Sequence, residues 1–234
     1  MKKIALLALA LYGMVSLASA QNRIEVSTGD FKDINITGEV QVNLVRGEHP
    51  GISAEIINSS TDKLEYFVKK EELFIRMKQP FAATKESRGQ AVVTVTYKDL
   101  RSITSDGATI LSPGVIESDV IAITTIAQGN INLNMACRDV EVTATNSVVT
   151  IGGDTEYLNI KAMAGASVNA IAMSSDNVNA TANTTAECFV NAKIRLEAKA
   201  ATKGKVFYKE DPEILKTDKS TLGKIEKIGG TAPF

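Results

Sequence analysis

The sequence predicts an all-β chain wound as a single-stranded parallel β-helix, with about 18–20 residues per coil and capped ends. Three observations carry this. Apolar starts recur at Leu100, Val120, Val140, Leu158, Val178 and Leu196, at spacings of 20, 20, 18, 20 and 18 residues. A second apolar mark, at Ile110, Ile131, Val149, Val168, Cys188 and Val206, follows each start by 9 to 11 residues. Between the marks the residues alternate in period two and are rich in Thr, Asn and Ser, which suits strands and turns better than helix interiors. Two strands and two bends per unit make one coil, and stacking successive coils about 4.8 Å apart sets like on like.

Residues 1–20 are expected to lie outside the fold. Met1-Lys2-Lys3 is a basic start, Ile4 to Leu17 is an apolar run, and Ala18-Ser19-Ala20 is a small-residue cleavage site. That pattern is a secretory signal peptide. No Cys follows Ala20, so no lipid anchor is expected, and residues 21–234 form a single β-helix domain. The 26 Lys and Arg set against 27 Asp and Glu become 24 against 27 once Lys2 and Lys3 are removed, a net of −3. So mild a charge argues against nucleic acid or a bulk anionic membrane as the main partner.

Residues 21–98 read as irregular N-terminal coils and a cap. Phe31 to Thr37 and Val40 to Leu44 alternate; Gly47 to Gly51 is a turn cluster; Ile52 to Ile57 is a strand; Asn58 to Asp62 turns. Leu64 to Val68 and Leu73 to Met77 flank Lys69 to Glu72 as a hairpin, residues 78–90 read as a loop, and Ala91 to Tyr97 is a strand. The regular coils run over 99–208, with Val140 and Val178 pointing inward, Thr143 outward, and Ala122, Ala144, Ala162, Ala180 and Ala198 near one inward phase. Residues 209–234 lose the repeat and read as a C-terminal cap or final coil, with loose last residues from Gly229 to Phe234.

The order Phe31-x-x-Ile34-x-Ile36-x-Gly38-x-Val40-x-Val42-x-Leu44, the Leu64 and Leu73 pair, and the Leu100-x-x-Ile103 to Gly107-Ala108 start of the coils resemble the GIN-domain adhesin family. These are secreted Bacteroidetes proteins described as heads of autotransporter adhesins. The resemblance spans most of residues 30–230. It implies a right-handed β-helix exported from the cytoplasm, with no established catalytic residues. The autotransporter label also implies a translocator barrel, for which none of the motifs in this sequence accounts.

No catalytic residue, cofactor or metal site is expected. His49, the one histidine, stands in a turn between Glu48 and Pro50. Cys137 and Cys188 differ in repeat phase and sit two or three coils apart, roughly 10–14 Å by strand spacing, beyond the reach of a disulfide. Two buried free thiols follow. Asp106, Asp119, Asp139, Asp154 and Asp176, with Glu141 and Glu156, crowd the unit boundaries, where Asp serves as a turn residue. Paired carboxylates there could instead hold calcium, and a neighbouring Arg or Lys could serve β-elimination of an acidic polysaccharide.

Charge varies along the axis: residues 137–192 carry two basic and six acidic groups, whereas 193–209 carry six basic and one acidic. Lys193, Arg195, Lys199, Lys203, Lys205 and Lys209 therefore form the candidate binding patch, or else a lysine-guarded edge. Only Tyr157 and Phe189 are aromatic between Arg101 and Ala200, so a sugar-binding cleft along the coils is not expected. Tyr66, Phe67, Phe74 and Phe81 read as core, with a binding edge as the alternative. The functional expectation is a non-enzymatic surface-interaction module, an adhesin whose partner is a cell-surface glycan, a lipid headgroup or a protein, at the outer surface or in the periplasm. A polysaccharide-acting enzyme on the same scaffold and a periplasmic envelope or stress protein stay open.

Overall fold

A computed structural model describes residues 23–57, 61–78 and 90–228. The expected signal peptide, the residues 58–60 of the expected turn, most of the loop expected over 78–90, Phe81 and the expected loose tail lie outside the described residues. Among the described residues sixteen strands join in one hydrogen-bonded sheet that winds as a β-solenoid. They are β1 (Arg23–Ser27), β2 (Asp33–Thr37), β3 (Val40–Arg46), β4 (Gly51–Ile57), β5 (Leu64–Lys69), β6 (Glu72–Met77), β7 (Gln90–Tyr97) and β8 (Ser102–Asp106). Then come β9 (Thr109–Ile126), β10 (Asn130–Thr145), β11 (Val148–Met163), β12 (Ser167–Asn183), β13 (Glu187–Ala201), β14 (Lys205–Tyr208), β15 (Ile214–Lys219) and β16 (Lys224–Lys227).

The five long strands β9–β13 each turn a corner midway, so that their two halves belong to two ladders. The A ladder holds β1, β4, β7, β3, the first halves of β9–β13, β14 and β16. The B ladder holds β5, β6, β2, β8, the second halves of β9–β13, and β15. Ile103, Ile123, Val142, Ile160, Ala180, Ala198 and Thr217 stand in register in the B ladder, which fixes the coil at 18 to 20 residues.

The second apolar marks form one inward column of the A ladder: Ile110, Ile131, Val149, Val168, Cys188 and Val206, continued by Ile225. All but Ile225 are buried. Val140, Leu158, Val178 and Leu196 are likewise buried in one column, but the member contributed by β9 is Ile121. Val120 pairs with Asp139 and is exposed. The sequence unit was placed one residue early there, and a slip of one reverses the face. The alanines are corrected for the same reason. Ala122 faces outward, and the others divide between two columns, one of Ala144, Ala162, Ala182 and Ala200, the other containing Ala180 and Ala198.

Five of the bends from the B to the A ladder are tight turns in which two successive residues adopt φ > 0: Ala127-Gln128, Ala164-Gly165, Thr184-Thr185, Thr202-Lys203 and Thr221-Leu222. Each closes with an i to i+3 bond, such as Gly129 N–H to Ile126 O at 3.1 Å and Gly204 N–H to Ala201 O at 2.8 Å. Left-handed backbone is costly for Thr and Lys. Bonds between stacked turns offset that cost, as where the Thr185 N–H donates to Thr202 O at 3.1 Å and the Lys203 N–H to Thr221 O at 3.0 Å. The residue that follows each bend is small (Ala108, Gly129, Ser147, Ala166, Ala186, Gly204, Gly223), and at Gly204 and Gly223 a backbone carbonyl of the preceding coil lies against it. A Cβ added to Gly204 would stand 2.2 Å from Ala182 O.

The opposite corner, inside each long strand, is made differently. Ser118, Cys137, Thr155 and Ser175 stack there in register. The Ser118 hydroxyl donates to Leu100 O at 2.8 Å and the Thr155 hydroxyl to Arg138 O at 2.9 Å, tying each corner to the coil before it. Cys137 occupies a hydroxyl position in this column, with Sγ 3.7 Å from Ile116 O.

The N-terminal coils do not stack in chain order. β2 lies between β6 and β8, and β3 between β7 and β9. The chain makes the β2–β3 coil, climbs past it through β4 to β7, and returns to β8. Antiparallel strands close this end: β1 and β4 on the A ladder, and β5 in a hairpin with β6 on the B ladder. At the other end β15 and β16 simply continue both ladders as a last coil.

Candidate interaction surfaces

Each coil presents two outer faces, the corner between them, and the tight turns. On the outer B face one column reads Phe67, Phe74, Asn35, Thr104, Thr124, Thr143, Lys161, Thr181, Lys199, Asp218 from end to end. Beside it run Glu141, Asn159, Asn179, Glu197 and Lys216. Cross-strand ion pairs lace the face, with Lys161 Nζ at 3.0 Å from Glu141 and Lys216 Nζ at 3.4 Å from Glu197. The outer A face carries Asn43, Leu111, Asn132, Thr150, Asn169, Phe189, Phe207 and Glu226 in one column.

The aromatic residues form two ladder stacks. Phe67 and Phe74 have centroids 4.9 Å apart, and Phe189 and Phe207 5.0 Å apart, both nearly parallel. The expectation that Phe67 and Phe74 are core is corrected: they lie on the outer face, Phe67 being 53% exposed. Tyr66, one residue away, packs against the core. In each stack one face of each ring is covered by its partner.

The corner gathers the acidic residues. Ala136, Cys137, Arg138, Asp154, Thr155, Glu156, Ser174, Asp176 and Lys193 line a shallow, open recess of about 510 Å³. Arg138 is paired with Asp139 at 2.8 Å and Asp119 at 3.4 Å. Asp106 lies instead at the opposite bend, and Glu141 on the B face. Among the described residues no group of three His, Cys, Asp or Glu could hold a metal ion.

The expected basic patch is distributed around the last regular coil. Lys193 lies at the corner, Arg195 and Lys199 on the B face, Lys203 in the tight turn, Lys205 on the A face, and Lys209 just past β14. Arg195 is paired with Glu197 and Lys205 with Glu187 at 2.7 Å, while Lys209 lies 3.9 Å from Glu210. Among the described residues Lys193, Lys199 and Lys203 have no ion-pair partner. What the charge count could not reveal is that adjacent residues of a solenoid coil face different directions.

His49 is exposed in the bend between β3 and β4. Both cysteines are free and buried. Burial pushes the Cys137 thiol up and the Cys188 thiol up to about 12, so both stay protonated and poorly nucleophilic. Asp33 is the carboxylate most firmly held. Arg101 donates to its Oδ1 from Nε at 3.1 Å, Ser102 from its hydroxyl at 2.7 Å, and these bonds hold its pKa below the usual carboxylate range against the opposing effect of burial.

Among the described residues no helix is long and apolar enough to cross a membrane. Residues 30–212 match the family model described as "Putative auto-transporter adhesin, head GIN domain". Three crystal structures share the fold. One, a "putative adhesin" from Bacteroides fragilis, superposes with a TM-score of 0.79 at 16% identity over 90% of this chain and 98% of that one. The second, a "Putative lipid binding protein" from Parabacteroides distasonis, gives 0.65 at 16% identity over 88% and 96%. The third, a "putative adhesin" from Parabacteroides merdae, gives 0.58 at 14% identity over 88% and 95%. A search of curated proteins finds no match. With the solenoid, its two ladders and the match over residues 30–212 in agreement, the chain belongs to the GIN-domain family of auto-transporter adhesin heads.

Proposed function

We propose that the protein is an exported, non-enzymatic adhesion module that binds a cell-surface partner through its flat outer B face. The observation that carries this is the column Thr104, Thr124, Thr143, Lys161, Thr181 and Lys199, six polar side chains in register across successive strands. At the usual strand spacing it spans about 24 Å. A repetitive array of hydroxyl and ammonium groups suits many weak, equivalent contacts with an extended partner. Each acts as a hydrogen-bond donor, and none is buried or aimed at a reacting centre. The adhesin names borne by the family and by two of the relatives fit this reading. Residues 1–20, with their basic start, apolar run and Ala18-Ser19-Ala20 site, act as a cleaved leader and place the module outside the cytoplasm. Residues 21–234 then form its single domain. Lys193, Lys199 and Lys203 add unpaired positive charge near the C-terminal end, where anionic groups of a glycan or a lipid headgroup would be drawn.

The test is retention of the purified protein on glycan arrays, matrix-protein arrays and anionic vesicles, beside protease accessibility on whole cells. Binding spread over the ladder predicts that Thr124→Ala, Thr143→Ala or Thr181→Ala alone weakens binding less than about threefold, whereas the triple variant removes it. One substitution that abolishes binding while the melting temperature is unchanged would sink the distributed reading. So would turnover of an acidic polysaccharide that is lost when Asp154, Asp176 or Lys193 is replaced.

A further inference from the structure

The C-terminal coil is open. β15 pairs with β13 and β16 with β14, and among the described residues neither has a partner on its other side. Every residue of β15 is exposed. Leu215 occupies the inward column of Leu196, Val178 and Val140, yet is 44% exposed, because no coil of the described residues lies beyond it. Two parallel rows of free backbone groups around an uncovered apolar interior form a ready template for another strand pair.

We propose that this end pairs with the same end of a second copy of the protein, β15 with β15 and β16 with β16, antiparallel about one twofold axis. The charge order of the two strands selects the partner. β15 contains Lys216-Thr217-Asp218 and β16 contains Lys224-Ile225-Glu226, each an outward basic residue, an inward residue and an outward acidic residue. A twofold axis through Thr217 places Lys216 of each copy opposite Asp218 of the other. An axis through Ile225 places Lys224 opposite Glu226 in the same way. Inside, Thr217 meets Thr217, Ile225 meets Ile225, and Leu215 lies against the alkyl stem of Lys219.

The two centres also agree with each other. The turn joining the strands closes from the Gly223 N–H to Ser220 O at 2.9 Å. Thr217 lies three residues before Ser220, and Ile225 two residues after Gly223. The centres therefore stand within one residue of the same level, and a single axis serves both. Moving the β15 centre to Lys216 would set lysine against lysine, and moving the β16 centre to Glu226 would set glutamate against glutamate. The lysines thus guard the edge against other registers and other copies' flanks while admitting this one. Joined end to end, the protein would present two B faces on one rigid axis, which raises avidity without any new contact to the partner.

The experiment is sedimentation velocity on the protein purified from the cells that make it, across a wide concentration range. Two variants accompany it, Asp218→Lys/Glu226→Lys and Lys216→Glu/Lys224→Glu. The expected result is a reversible dimer for the native chain. Each variant alone should self-associate at least about tenfold more weakly while keeping a cooperative thermal transition, and an equimolar mixture of the two should recover a dimer. Three results would overturn the proposal. One is a native chain that stays monomeric at every concentration. Another is a dimer that survives both charge reversals, which would place the contact elsewhere. The third is dimerisation seen only when the chain is ended at Ile228, which would make residues 229–234 the occupant of the edge.

Discussion

The two ends of the solenoid are finished in opposite ways. At the N-terminal end the strands turn antiparallel: β5 folds back on β6, and β1 and β4 lie across β7, so that Leu73, Ile75 and Val93 are already fully buried. At the C-terminal end the last coil is laid down like any other, and among the described residues nothing lies beneath it. The core changes in the same direction. The inward column of the B ladder reads Leu73, Ile34, Ile103, Ile123, Val142 and Ile160, then Ala180, Ala198 and Thr217. The lesson is that apolar stacking is invested where the fold closes on itself. Toward the C-terminus regular backbone ladders and stacked turns hold coils with a thinner interior, and the edge is left available.

The largest effect expected from breaking this contrast comes in the middle of the coils. Val178 is 1% exposed, and Val178→Asp would bury a carboxylate with no partner. It should cost about 4 kcal/mol or more, seen as loss of the cooperative thermal transition or a large fall in its midpoint. Next comes the comparison of the ends themselves. Leu73→Ala removes a fully buried side chain at the closed end and should cost about 3 kcal/mol. Leu215→Ala at the open end, assayed at low protein concentration, should cost about 1 kcal/mol or less. Denaturant midpoints for the pair would decide the matter, and equal losses would mean that the last coil is covered in solution.

A smaller effect tests how the N-terminal coil is fastened. Asp33 of β2 accepts from Arg101 and from Ser102 at the start of β8, where the chain returns beneath the coil it made first. Because its pKa is held down in the folded state, its contribution to stability is present above the unfolded value and is lost as pH falls through the depressed folded value. Asp33→Asn should therefore cost about 1 kcal/mol at neutral pH, and the gap from the native chain should close as pH falls through the depressed folded value. A gap that stayed constant from neutral to acid pH would show that the carboxylate charge plays no part.

These contrasts also mark what could be read from the sequence. The six second marks fell into one buried column because each is preceded two residues earlier by a small residue. The repeat was therefore stated twice, once by apolar size and once by its absence. That second statement is legible in Ala108, Gly129, Ser147, Ala166, Ala186 and Gly204. Val120 misled because Val120 and Ile121 are adjacent apolar residues, and period-two patterning cannot choose between them without the partner strand. The climb of β4 to β7 past the first coil left no local trace, since a strand's sequence records which face is buried and not which neighbour covers it. The charge run over 193–209 was read correctly as composition, but a coil distributes consecutive residues among two faces, a corner and a turn. Of the three cations that are paired, Arg195 and Lys209 have partners within two residues, and only the pairing of Lys205 with Glu187 of the coil before it needed the stacking.

The smallest expected effect is the most direct test of the outer face as a place for weak contacts. Thr143 points outward in the B ladder, directly across from Lys161 of the next coil. A carboxylate placed there stays in water and gains a neighbouring cation, so Thr143→Asp should change stability by no more than about 0.5 kcal/mol. Its effect on binding should be larger than its effect on folding, because it exchanges a hydroxyl for a negative charge in the middle of the proposed array. Parallel measurement of melting temperature and retention on the partner separates the two. A loss of stability comparable to that of Val178→Asp would mean that the B face is buried, against another element or another molecule, and is not the free surface on which the adhesive reading depends.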